Sequence, residues 1–151
     1  MKILKLFVIC LSLFLNNIVK SQQIYFSQHD EVIDKLIPKA KKNKLNEEKL
    51  VLLTQSYHQA NQEDHQKIME LKASGQPDIW MEIYFRINSI NSRQNKITPL
   101  PENIKSAMNF KALNMDKELS SSKEKSELYI FARANQLFEN PTEENYWKHR
   151  S

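Results

Sequence analysis

Gly75 is the only glycine in a chain of 151 residues. Valine and threonine are sparse, while Leu, Lys, Glu, Gln and Ala, the strong helix formers, are plentiful. No window shows sustained period-two alternation bounded by turn residues, as a half-buried strand would. The chain is therefore restricted to an all-α fold. The same scarcity of glycine removes two catalytic devices, the Gly-rich loop that cradles phosphates and the Gly-x-Ser-x-Gly elbow that presents a nucleophilic serine.

Apolar spacing divides the chain into helices. The first is expected from near Asp30, with Val32, Ile33, Leu36, Ile37 and Ala40 on one face and a bend or break at Pro38. Lys39, Lys41, Lys42 and Lys44 follow as a solvated helix C-terminus, where cations meet unpaired carbonyls. The second helix runs from a capping Asn46 to about Lys72. Its stripe of Leu50, Leu53, Tyr57, Ala60, Ile68 and Leu71 is interrupted by Asp64, either a buried hydrogen-bonding group or a rim residue.

Gly75-Gln76-Pro77 then combines a left-handed cap with a helix-starting proline. A third helix, Pro77 to about Lys96, packs through Ile79, Trp80, Ile83, Tyr84, Ile87 and Ile90. So short a turn makes the second and third helices an antiparallel hairpin. Beyond Thr98-Pro99-Leu100-Pro101, a shorter helix is expected over Glu102 to about Leu113, facing inward with Ile104, Ala107 and Met108. A long one follows over Ser121 to Phe138, facing inward with Leu128, Phe131, Ala132, Ala134, Leu137 and Phe138. Ser120, Ser121 and Ser122 read as the loop and cap before it. After Asn140-Pro141-Thr142 the opening of another helix carries Tyr146 and Trp147, which need cover from the body or from further sequence.

The first 21 residues have a different character. Lys2 and Lys5 precede ten nearly unbroken apolar residues, Leu6 to Leu15, and Val19 and Ser21 fit the −3 and −1 positions of an export peptidase site. A cleaved signal peptide is expected, with its cut between Ser21 and Gln22, which places the mature protein in the periplasm or otherwise outside the cytoplasm. An apolar run of about ten residues is half of what spans a bilayer as helix, so a retained anchor is the minor reading. Residues 22–29 are then a short N-terminal extension, and 30–151 a single all-helical domain, read either as closed by its last element or as truncated at its C-terminus. Cys10, the only cysteine, lies inside the leader after Ile9, too early for a lipid-modified cysteine. The whole chain carries 22 Lys+Arg against 18 Asp+Glu; losing Lys2, Lys5 and Lys20 leaves 19 against 18. A balance that close to neutral argues against nucleic acid as a partner.

Asn43-Lys44-Leu45, Ala60-Asn61-Gln62-Glu63-Asp64, Leu71-Lys72, Gly75-Gln76-Pro77-Asp78-Ile79-Trp80, Glu82-Ile83-Tyr84 and Arg93-Gln94-Asn95 together resemble a family of exported, tetratricopeptide-like helical proteins of Bacteroidota. The likeness covers roughly residues 30–147 and is most specific from Leu45 to Pro101. It implies antiparallel helical hairpins in a short solenoid-type array, an exported location and no assigned activity, hence no catalytic residue to transfer. The chain departs from the family in lacking a lipobox cysteine at the end of its leader. A Trp-Leu-Gly-Tyr-Ala-Pro pattern at the 34-residue tetratricopeptide period is also missing.

No residue set announces chemistry. His58 and His65 lie seven apart, roughly 10 Å along a helix, whereas a metal needs its donors within about 2 Å of one point. Glu47/Glu48 and Glu143/Glu144 occupy helix starts, where the dipole already explains them. No metal, cofactor or enzymatic activity is expected. Trp80, Tyr84 and Arg86 are the candidate contacts of a groove that holds a protein or peptide, with Phe85 beside them; Arg86 and Arg93 either flank it or merely solvate its outer side, and packing is the plainer role for these aromatics. The expected function is a binding or scaffold protein. The alternative is a structural segment of a larger envelope-associated protein or assembly. An exposed aromatic patch of several hundred Å² would favour either.

Overall fold

The computed structural model describes residues 27–139. They form α1 (Gln28–Lys41), α2 (Glu47–Ser74), a 3₁₀ turn (Pro77–Ile79), α3 (Trp80–Ile97), α4 (Glu102–Ala107) and α5 (Asp116–Glu139), with no strand among them. The all-α expectation holds. The leader and the segment with Tyr146 and Trp147 lie outside the described residues.

Local chemistry sets each helix boundary. Ser27 caps α1 through a reciprocal box: its hydroxyl accepts from the His29 N–H, and its own N–H donates to the Asp30 carboxylate at 3.1 Å. Pro38 does not break the helix, one of the two outcomes expected of it. Its ring is exposed, as is Asp34, whose carbonyl loses the bond that proline cannot make, while Ile33, Leu36, Ile37 and Ala40 hold the opposite face buried. Packing outweighs the local defect. α1 closes on Asn43 at φ +53°, with Lys44 N–H on the Lys39 carbonyl and Asn43 N–H on that of Ala40. Those are the paired 6→1 and 5→2 bonds of a Schellman motif.

The Asn46 side chain accepts from the Lys49 N–H at 3.1 Å, capping α2 as its sequence implies. Gly75 at φ +65° follows the last residue of α2, and Pro77 opens the 3₁₀ turn into α3. α4 is shorter than expected because Asn109 takes φ +49° and repeats the Schellman bonds, Phe110 N–H to Lys105 O and Asn109 N–H to Ser106 O. Ala107 and Leu113, read as inward and helical, are exposed. α5 begins at Asp116 rather than Ser121, so the three serines are helical and not a loop.

The described residues divide into two compact units, 27–62 with 92–111 and 63–91 with 112–139. In the first, α1, the first half of α2, the end of α3 and α4 enclose Ile33, Leu36, Ile37, Ala40, Leu53, Tyr57, Ile97, Leu100, Ile104 and Met108. In the second, the end of α2, the 3₁₀ turn, the first half of α3 and the start of α5 enclose Ile68, Ile79, Ile83, Ile87, Ile90 and Met115, with Leu71, Trp80 and Leu119 packed against them.

Candidate functional site

Both arginines of α3 that sequence placed beside a groove are tied within their own units. In the first unit Arg93 is 1% exposed; its Nε and Nη2 reach the two carboxylate oxygens of Asp30 at 2.7 and 3.0 Å, and its Nη1 reaches Asn61 Oδ1 at 3.0 Å. A bidentate pair of this kind fixes geometry as well as charge. Asp30 thereby joins the cap of α1 to α3, and Asn61 joins α2. Tyr57, hydrogen-bonded to Asn61, has its hydroxyl pKa raised by burial, against the lowering influence of that bond and of the Arg93 charge. Burial wins because a phenolate would be desolvated there.

In the second unit Arg86 donates through Nη1 to Asp64 at 2.9 Å and through Nη2 to Glu82 at 2.7 Å. Asp64 is buried, so the break in the α2 stripe is an ion-paired group and not a rim residue. Trp80 is half-buried, with the Lys125 ammonium 3.9 Å from its ring centroid, and Tyr84 lies against Phe85 with ring centroids 5.5 Å apart. A residue step of 100° puts Trp80 and Tyr84 on one side of the Ile83–Ile87–Ile90 stripe and Arg86 on the other. Trp80, Tyr84 and Arg86 thus do not converge on one face.

His58 donates its Nε2–H to the Met108 carbonyl at 3.0 Å, the tautomer following from the acceptor, and so ties α2 to the end of α4. No group of three or more His, Cys, Asp or Glu that could hold a metal occurs among the described residues. No described helix is long and apolar enough to cross a membrane.

The feature that sequence reading missed lies on α5. Met115, Leu119, Ser122 and Ser126, at spacings of four, three and four, form its inward stripe, and the two serines are buried. Met115 and Leu119 set the phase where the helix enters the core. Beyond Ser126 the helix leaves Leu128, Ile130, Phe131 and Phe138 at 62%, 46%, 67% and 85% exposure, and of residues 127–139 only Tyr129, Ala134 and Leu137 are half-buried. Leu128, Phe131 and Phe138 are three of the six residues read from sequence as the inward face; of the other three, Ala132 is exposed and Ala134 and Leu137 are half-buried. Two phenylalanines and a leucine exposed to that degree present on the order of 400 Å² of apolar surface, within the range of the largest apolar patch on an ordinary monomer. The usable signal was the run of small residues in register with Met115 and Leu119, because a buried face need not be the most apolar one.

The chain matches no known protein-family model, no curated protein and no solved structure.

Proposed function

We propose that this chain is an exported, non-enzymatic binding or scaffold protein that engages a protein or peptide through the outer face of α5. One observation carries the reading: α5 buries Ser122 and Ser126 while Leu128, Phe131 and Phe138 face outward. Fully burying one of those side chains is worth roughly 1.5–3 kcal/mol, so a partner that covers the stripe gains what the fold leaves unused. The periplasm as its location follows from the signal-peptide reading of residues 1–21. The hairpin of α2 and α3, as the first part of a short solenoid-type array, follows from the resemblance to exported tetratricopeptide-like proteins.

Two measurements test this. The intact mass of the exported chain should correspond to a protein beginning at Gln22; an uncut chain overturns the leader reading. A photoreactive phenylalanine analogue at position 131 should capture one defined protein species in cells that export the chain, while the same analogue at exposed Glu31 on α1 should not. Equal or absent capture at the two positions defeats the binding reading.

A further inference from the structure

We infer that the occupant of this face is a second copy of the chain, its α5 lying antiparallel across the first about a two-fold axis. The inference rests on the reading of the α5 outer face as a binding surface, and it names the partner. The stripe repeats at spacings of three and four: Leu128, Phe131, Asn135, Phe138. That is the a/d pattern of a helix that packs on a helix. With the two-fold at the level of residue 133, Leu128 meets the second copy's Phe138, and Phe131 meets its Asn135. Each contact occurs twice, as an isologous interface requires. Leucine thus faces phenylalanine and phenylalanine faces asparagine, with no phenylalanine set against its own copy. Ala132 and Ala134 flank the seam where the helices cross, so the two backbones can approach closely.

Charge selects the same register. Lys125 and Glu139 lie at opposite ends of the seam, so an antiparallel pair brings each Lys125 to the other copy's Glu139, twice over. Within its own unit the Lys125 ammonium stands 3.9 Å from the centroid of the Trp80 ring. In the parallel arrangement Glu127 would face Ala132 and Ala134 would face Glu139, which gains nothing, and the helix dipoles would align unfavourably. Two stripes of about 400 Å² bury about 800 Å² together, below the roughly 1,200 Å² at which stable specific interfaces begin. The dimer is therefore a weak and reversible one.

Single cysteines test the register directly, in the exported chain with Cys10→Ser should the leader be retained. Ala132→Cys should form a disulfide-linked dimer on mild oxidation. Leu128→Cys mixed with Phe138→Cys should cross-link, and Leu128→Cys alone should not. Sedimentation of the chain from about 1 µM to 1 mM should show monomer converting to dimer. Phe131→Glu should raise the dimer dissociation constant more than about tenfold with an unchanged far-UV spectrum, since the side chain is exposed in the monomer. Self-linking of Leu128→Cys without the mixed product overturns the antiparallel pair. A chain that stays monomeric overturns the second copy. In that case, capture of one different protein by the analogue at position 131 leaves the binding reading standing. Attachment of the analogue only to residues 140–151 of its own chain removes both.

Discussion

The first and last described helices obey opposite rules. α1, with 14 residues, buries Ile33, Leu36, Ile37 and Ala40, and even its polar Asp30 is closed off by Arg93. α5, with 24 residues, buries two serines and leaves Leu128, Ile130, Phe131 and Phe138 exposed. α1 is held on every side that matters: capping box, apolar face, bidentate ion pair and Schellman close. α5 is anchored at its start by Met115 and Leu119 and follows their phase thereafter. Amphipathicity states that a face will be covered; it does not state that the same chain covers it. α5 hides its serines and leaves its phenylalanines outside the core of its own unit.

The sharpest break in this comparison is Arg93→Met. It leaves Asp30 buried without its countercharge, and losing one partner of a buried pair costs about 3–5 kcal/mol. Thermal melting of this variant should fall far below wild type, and Asp30→Asn combined with Arg93→Met should recover part of the loss. A single variant that melts within a degree or two of wild type would show that α1 is held by its apolar face alone. Gly75→Val comes next. The φ of +65° is the whole difficulty, because a Cβ there would meet nothing within 4 Å. The cost should be about 1–2 kcal/mol, the left-handed penalty, and Gly75→Asn should recover most of it. Full recovery by Ala would instead mean that the turn readily leaves the left-handed region.

Tyr57 gives a smaller effect, confined to alkaline solution. Its hydroxyl pKa is raised in the fold, so above the ordinary value near 10 the unfolded chain releases the proton first and stability falls as pH rises. Below that value the group contributes no pH dependence. Tyr57→Phe should flatten the part of the stability–pH curve above about pH 10 while leaving the neutral region parallel to wild type. Identical alkaline slopes would place the titration elsewhere.

What sequence could deliver follows from where each signal resides. Gly75, Asn46 and the isoleucine stripe of α3 act through their own chemistry, and all three are where periodicity and capping rules put them. Asn43 and Asn109 hold the same left-handed caps as Gly75, yet asparagine has enough other uses that neither announced itself; Asn109 is why α4 stops at Ala107. Pro38 misled because a proline penalty is local, whereas four buried side chains on α1 oppose it. Arg86 and Arg93 looked alike as groove residues. Their partners Asp64 and Asp30 lie 22 and 63 positions away, and no spacing rule reports such pairs. On α5 the phase was taken from the residues of greatest hydropathy. It belongs to Met115 and Leu119, which precede the stretch that periodicity singled out.

The smallest expected effect decides how the comparison should be understood. Phe131→Ser removes an aromatic ring that is 67% exposed, so the stability of the monomer, measured in dilute solution, should change by no more than about 0.5 kcal/mol. Ile33→Ser on α1 replaces a fully buried side chain and should cost several-fold more, because it leaves both a cavity and a desolvated hydroxyl. The informative quantity is the difference between the two substitutions, measured by chemical denaturation at low protein concentration, where a weak dimer has dissociated. A large gap means that the apolar face of α5 is unclaimed by its own fold and remains available to a partner. If Phe131→Ser costs 2 kcal/mol or more in the dilute monomer, the stripe is covered from within the same chain. The contrast between α1 and α5 would then be one of which segment does the covering.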